Sequence, residues 1–380
     1  MEPLSAPRTE PADAVLPNLV SSDVVDLTQE LCDIHSVSGA EGPLADAIEA
    51  ALRAYGHLQV LRCGNTVLAR TDLGRAQRVI VAGHLDTVPV AGNLPTRRQH
   101  DAAGAEWLWG RGTVDMKGGV AVALHLAASL TAPSRDVTWI FYDNEEVAAD
   151  LNGLNQVAAD HPDWLRADLA VLAEPTAAGV EAGCNGSLHV QVTTRGVAAH
   201  SARSWVGSNA IHEMAQVLNR LNGYDPAQVQ IDGLTYREGL NAVRIGGGIA
   251  GNVIPDEATV QVNYRFAPDK NEAAALAHLR EVFDGFELTM VDSSPPAPPA
   301  LHHPVTADFT RAVTAHTGAP VSAKQGWTDV ARFAALGVPA VNFGPGDPLL
   351  AHADDEAVPT QQIRVHAEAL RSWLSTRGGP

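Results

Sequence analysis

Five short stretches of this sequence carry side chains that could hold metal ions for hydrolysis. In Val79 to Val88, VIVAGHLDTV, an apolar run delivers His84 to its end and Asp86 follows two residues later. Imidazole ligates zinc when neutral, and a carboxylate on its other nitrogen fixes the tautomer and raises its basicity, so Asp86 is the candidate for that second contact. Taken alone, the pair also fits a hydrogen-bonded surface histidine. Gly110 to Gly119, GRGTVDMKGG, presents Asp115 ahead of a helical run. A carboxylate has two oxygens with which to bridge two cations. The rival reading, a phosphate-cradling loop, is disfavoured because Lys117 is followed by Gly118 rather than Ser or Thr. The apolar strand Val137 to Tyr142 ends in Asp143, Asn144, Glu145 and Glu146. Adjacent acids repel one another unless a cation or proton intervenes, although a solvated acidic turn is the ordinary alternative. Glu174 follows the apolar Leu169 to Ala173, and His352 lies in a loop before the final helix. Five oxygen and nitrogen donors from five loops, with no cysteine, suit a hydrolytic pair of zinc ions better than a structural zinc.

The elements that must position these residues alternate strand and helix. Helical patterns run from Ser22–Asp23 caps to Leu31 and from about Pro43 to Tyr55. Extended segments at 59–62, 66–70 and 78–82 precede a helical run from Gly118 to Leu130, and strands at 137–142 and 169–172 follow. This order predicts an α/β core with a mixed, largely parallel sheet and flanking helices. From about Gly186 the texture changes. Alternating strands at 188–194, 243–247 and 259–266 surround helical runs at 209–221 and 271–283, giving a smaller α+β, βαββαβ-like unit. Ser293 to Pro299, rich in proline, cannot continue a strand and marks a boundary. The α/β texture then resumes with a helix at 306–317, a strand at 340–343 and a helix at 360–374. The expected division is a loose tail at 1–20, a metal-binding domain from 21–186 and 300–380, and an inserted domain at 187–299.

Composition bounds the partners. The chain of 380 residues has 45% hydrophobic residues and 44 acidic against 26 basic side chains, a formal charge of -18. Such a chain can bury a large core, and its field disfavours nucleic acid and anionic membrane surfaces as partners. A small anionic substrate is still admissible, because a cation or an Arg can reverse the field in one cleft. Three scattered cysteines, Cys32, Cys63 and Cys184, indicate neither a disulfide framework nor a thiolate metal site. No signal sequence or membrane-spanning apolar run is apparent, so a cytoplasmic protein is expected.

The strings GHLDTVP, GRGTVDMKGG, YDNEE, LAEPT and AHADDE, in this order and spacing, resemble the M20 family of metallopeptidases and deacylases. The likeness runs from about residue 22 to the C-terminus and is strongest to the family's actinobacterial desuccinylases. It implies a di-zinc exopeptidase-like fold, with His84, Asp115 and Glu174 on one zinc, Asp115, Glu146 and His352 on the other, and Glu145 as general base toward a zinc-bridging water. Cobalt or manganese could substitute for zinc. It also implies a homodimer through the inserted domain, in which His200, within GVAAHSAR, reaches across to stabilise the developing oxyanion. Arg265, Asn252 and Thr328 match the family's substrate-binding positions. Without the resemblance they read as a strand-end charge, a turn residue and a cap. Several relatives carry Arg then Gly where this chain has Asn185, Gly186 and then Ser187, and many carry Asn where it has Asp355.

The implied activity is hydrolysis of a small N-acyl amino acid, N-succinyl-L,L-2,6-diaminopimelate, to succinate and the free diamine. Within the same chemistry the alternatives are deacetylation of N-acetylornithine or cleavage of a small peptide. A non-catalytic metal-binding interaction protein is the alternative of a different class, and it gives no reason to keep Glu145 beside a complete ligand set. Gly246, Gly248 and Gly251 satisfy GxGxxG, but a turn and strand follow instead of a phosphate-binding helix. His212–Glu213 begins like a zincin helix, yet position 216 is Gln. His125, His302 and His303 read as helix and loop residues without a ligand role.

Overall fold

The computed structural model describes residues 14–376. They fall into two compact units. One comprises the chain up to Glu181, Leu301–Val321 and everything from Ala335, and the other comprises Ala182–Ala300 and Ser322–Ala334. Of the expected tail, residues 1–13 lie outside the described residues, but Leu19 is buried and its carbonyl accepts a hydrogen bond from His125 Nδ1 at 2.8 Å. Packed chain therefore begins before residue 21. No helix among the described residues is long and apolar enough to cross a membrane.

The first unit is built on an eight-stranded sheet in the order Gln59–Cys63, Thr66–Arg70, Asp136–Tyr142, Arg78–His84, Leu169–Leu172, Ala340–Asn342, Val180–Ala182, Val321–Ala323. Arg78–His84 runs parallel to both of its neighbours, and Ala340–Asn342 runs parallel to Leu169–Leu172. The first two strands are antiparallel. The sheet is thus mixed and largely parallel, as the alternation of elements predicts. Its central strands are apolar without a period-two pattern because both faces are covered: all seven residues of Asp136–Tyr142 are buried. The helix Lys117–Ser129 is buried nearly all round and packs on the Arg78–His84 strand and on the helices Val24–Asp33 and Thr360–Ser375. Gly119 permits this approach, since a Cβ there would lie 2.5 Å from the carbonyl oxygen of Ala173.

The second unit has a four-stranded antiparallel sheet, Gly239–Gly247, Glu257–Phe266, Gly186–Arg195, Glu287–Ser294, with the helices Ala210–Asn222 and Glu272–Val282. Its strand–helix–strand–strand–helix–strand order is the one the sequence implies. Both helices start at asparagines: Asn209 accepts from the amides of Ile211 and His212, and Asn271 from that of Ala274. The strand Glu257–Phe266 alternates strictly, with Ala258, Val260, Val262, Tyr264 and Phe266 buried in a core shared with Met214, Val217, Ala275 and Leu279.

Several boundaries move: the second unit begins at Ala182 rather than at residue 187. Ser293 and Ser294 still pair with Leu188 and Ser187, so the strand ends only where the prolines begin at Pro295, and within the proline-rich stretch Ala297 still bridges Cys184. Ser322–Ala334 also groups with the second unit rather than the first.

Candidate metal centre

Two parallel strands and their connection bring the donors of the first unit together. Arg78–His84 pairs with Asp136–Tyr142 so that His84 stands level with Tyr142, and the acids at 143–146 follow at once. On its other side Ala82 pairs with Leu172. The buried Glu174 follows the end of the Leu169–Leu172 strand by two residues. Ligand sites of open α/β sheets lie at such carboxyl ends of strands.

His84, Asp115 and Glu146 each place a donor atom within 4.8 Å of the others. His84 Nε2 is 3.1 Å from one oxygen of Asp115, and His352 Nε2 is 3.4 Å from the other. His352 Nε2 also lies 2.9 Å from Glu146 Oε1. Asp115 therefore stands between two imidazoles with one oxygen toward each. The backbone of His352 is left-handed, φ 64°, a conformation that costs a non-glycine residue about 1–3 kcal/mol and persists only where the surroundings enforce it.

The expected contact between His84 and the Asp86 carboxylate takes another form. His84 Nδ1 sits 2.9 Å from the main-chain oxygen of Asp86 and 3.6 Å from its carboxylate. A carbonyl can only accept, so Nδ1 donates to it, and Nε2, which faces Asp115, is the nitrogen that would meet a cation. The Asp86 carboxylate, fully buried, instead accepts from the amides of Glu145 and Glu146, each at 3.0 Å, and from the Ser38 hydroxyl at 2.7 Å. Asp86 thus holds the acidic turn in place. Glu41 holds it from the other side, one oxygen accepting from the amides of Gly39 and of Asn144, whose φ is 59°.

The electrostatics follow from this crowding. Hydrogen bonds to Asp115 and Glu146 raise the His352 pKa to about 10. Burial works to lower that of His84, but the hydrogen bond with Asp115 and the charges of Asp115, Asp86 and Glu145 lift it well above the ordinary value. Burial disfavours the Asp115 carboxylate, yet its hydrogen bonds to His352 and His84 hold it well below the usual range. The carboxylates gathered around these two imidazoles make a site of negative potential, which a divalent cation would satisfy. The donor set, imidazole and carboxylate without thiolate, fits that group.

The remaining candidates lie in the second unit, as two pairs and Thr328. Arg265 and Ser187 are cross-strand partners joined through Asn263, which donates to Ser187 Oγ and accepts from Arg265 Nε, both at 3.1 Å. Burial lowers the Arg265 pKa. Asn185, where relatives carry Arg, donates to the Arg237 carbonyl. His200 pairs with Val253, and the Ser201 amide donates to the Asn252 carbonyl, so exposed His200 and Asn252 are neighbours. Thr328 is buried, and its carbonyl faces Cys184 Sγ at 3.8 Å. The GxGxxG stretch lies at the end of a strand and in a turn, and His212 is exposed on its helix.

An open, largely parallel sheet that gathers two imidazoles and several carboxylates at its strand ends defines a metal-dependent hydrolase. Residues 80–376 match the model of peptidase family M20/M25/M40, and the chain belongs to that family. It is 54% identical over 355 residues to the putative succinyl-diaminopimelate desuccinylase of Mycobacterium tuberculosis, covering 93% of this chain and 98% of that one. It is 48% identical to the succinyl-diaminopimelate desuccinylase of Corynebacterium glutamicum, covering 93% and 96%. Among solved structures, a tripeptidase from Staphylococcus aureus shares the fold at a TM-score of 0.75 and 18% identity, covering 93% of this chain and 97% of that one.

Proposed function

We propose that this chain hydrolyses N-succinyl-L,L-2,6-diaminopimelate to succinate and L,L-diaminopimelate. The observation that carries the substrate is the near-full-length identity to the two desuccinylases, and the metal centre supports the chemistry. In this reading His84, Asp115 and Glu174 would hold one zinc and Asp115, Glu146 and His352 the other, with cobalt or manganese able to replace zinc. Bound there, the cations supply acidity to water and draw charge from the acyl oxygen.

The chain's own residues do the rest. Glu145 accepts a proton from the attacking water and delivers it to the departing nitrogen as the carbon–oxygen bond forms and the carbon–nitrogen bond breaks. Asp86 orients Glu145 through its main-chain amide. Arg265, with Ser187 and Thr328, would bind substrate carboxylate, a role suited to a half-buried guanidinium.

The same reading takes the active form to be a homodimer in which His200 acts on the partner's substrate, with Asn252 among the substrate-binding residues. The second unit offers a surface for this. Ile211, Leu218 and Ile245 are exposed around an apolar groove of about 290 Å³ that also includes Met214. Beside it runs the edge strand Gly239–Gly247, paired on one side only among the described residues. Light scattering tests the assembly.

The test of activity is succinate and amine release by protein stripped with chelator and reloaded with zinc, with N-acetylornithine run alongside. Zinc-dependent release that favours the succinyl substrate is expected. Activity confined to acetylornithine would keep the chemistry and overturn the substrate.

A further inference from the structure

One buried ion pair ties together the two loops that carry Asp115 and His352. Glu356 is 1% exposed. Its Oε1 accepts from the amides of Val114 at 2.9 Å and Asp115 at 3.2 Å, and its Oε2 accepts from Arg111 Nη1 at 2.8 Å. The same Arg111 nitrogen donates to the carbonyl of Ala353 at 3.1 Å, one residue beyond His352, and Arg111 Nε donates to the Pro89 carbonyl. Main-chain bonds close the joint, with the Gly110 amide on the Glu356 carbonyl and the Arg111 amide on that of Asn93. Arg111 is itself 3% exposed. A charge pair so fully removed from water must be held by hydrogen bonds, and here most of them go to the backbones around Asp115 and His352.

We infer that Arg111 and Glu356 are positioning residues that set the spacing between Asp115 and His352 and thereby control occupancy of the cation site these two share. Neither side chain is among the grouped donors; both act through the loops that carry them. Glu356 fixes the main chain at Asp115, and Arg111 passes that restraint to the turn that holds His352 in its left-handed conformation. Partners of metal ligands act in this way, and their removal typically weakens metal affinity about 10–100-fold. The inference rests on the two-metal reading proposed above.

The two halves of the clamp can be separated. Glu356→Gln keeps an oxygen for the amides of Val114 and Asp115 but turns a donor toward Arg111, whereas Glu356→Ala removes both functions. Zinc chloride titrated into metal-free full-length protein by calorimetry, against a competing chelator, reads the two binding steps without reference to any substrate. In Glu356→Gln one step should weaken about 10–100-fold while the other is unchanged, and the weakened step should be the one missing from His352→Ala. Glu356→Ala should weaken both. Should Glu356→Gln fail to fold, Arg111→Lys, which keeps the charge and loses the fork, is expected to show the same selective loss. Two unaltered steps, or two steps falling together in Glu356→Gln and Arg111→Lys, would reduce the pair to a structural role. Wild-type protein that takes up no zinc would instead sink the two-metal reading, and this inference with it.

Discussion

The two units treat their chemistry-bearing residues in opposite ways. In the first, the donors sit at the ends of parallel strands, and their backbones are fixed by buried carboxylates: Asp86 and Glu41 on the acidic turn, Glu356 on the Asp115 loop. In the second, Arg265 and Ser187 stand on the sheet face away from the buried core, and His200 and Asn252 lie on exposed short segments. The first arrangement suits atoms that must keep fixed distances from one another. The second suits residues that meet a ligand or a second subunit, where shape must be complemented from outside.

Substitutions can break or sharpen this contrast. The largest loss is expected from Asp115→Ala, which should remove both zinc ions by metal analysis and bring hydrolysis to background. Glu145→Gln should keep both metals and lower kcat by about 10²–10⁴-fold, and unchanged kcat with metal in place would remove Glu145 as the base. A milder effect belongs to the second unit. Arg265→Lys should raise KM for the succinyl substrate by about tenfold or more with metal content intact, because a single ammonium cannot reproduce a fork against carboxylate. Ile245→Asp should shift the species seen by light scattering toward monomer; a monomer with full activity would defeat the proposal that His200 acts across subunits.

One further effect concerns stability alone. Burial against Phe343 pushes the pKa of His366 down to about 3, whereas an unfolded histidine titrates near 6.5. Below pH 6.5 the unfolded chain binds a proton that the folded chain refuses, so this contribution is complete above that pH and is lost as pH falls toward 3. The loss is about 1.4 kcal/mol per pH unit. His366→Phe should flatten that part of the pH–stability curve in denaturant melts, leaving the rate at neutral pH unchanged.

Much of the first unit was legible because burial on both faces writes itself as continuous apolar runs, and the donors follow those runs directly: His84 after Val79–Gly83, Glu174 after Leu169–Ala173. The three-stranded sheet of Arg97–His100, Glu106–Trp109 and Ala357–Pro359 was not. All four residues of Arg97–His100 are exposed, and the third strand comes from the far end of the chain, so neither alternation nor proximity marks it. The roles of Ser38, Glu41, Arg111 and Glu356 were hidden for a related reason. GRGTVDMKGG and AHADDE hold two of them in plain view, but a carboxylate that serves distant amides has no signature of spacing. The pattern of the sequence points His84 Nδ1 at the Asp86 carboxylate, whereas backbone geometry gives that place to the Asp86 carbonyl.

The chain order of the sheet strands has a consequence for synthesis. The whole strand-and-helix core of the second unit, Gly186 to Ser294, leaves the ribosome before Ala340–Asn342, which lies beside Leu169–Leu172 inside the eight-stranded sheet. Units of this kind fold as their residues become available, and pairings between distant segments form slowly. The insert can therefore mature while the sheet that surrounds it in sequence still waits for its partner strand. His352 emerges last of the five proposed ligands, so a nascent chain completes its metal site only after the insert has been made.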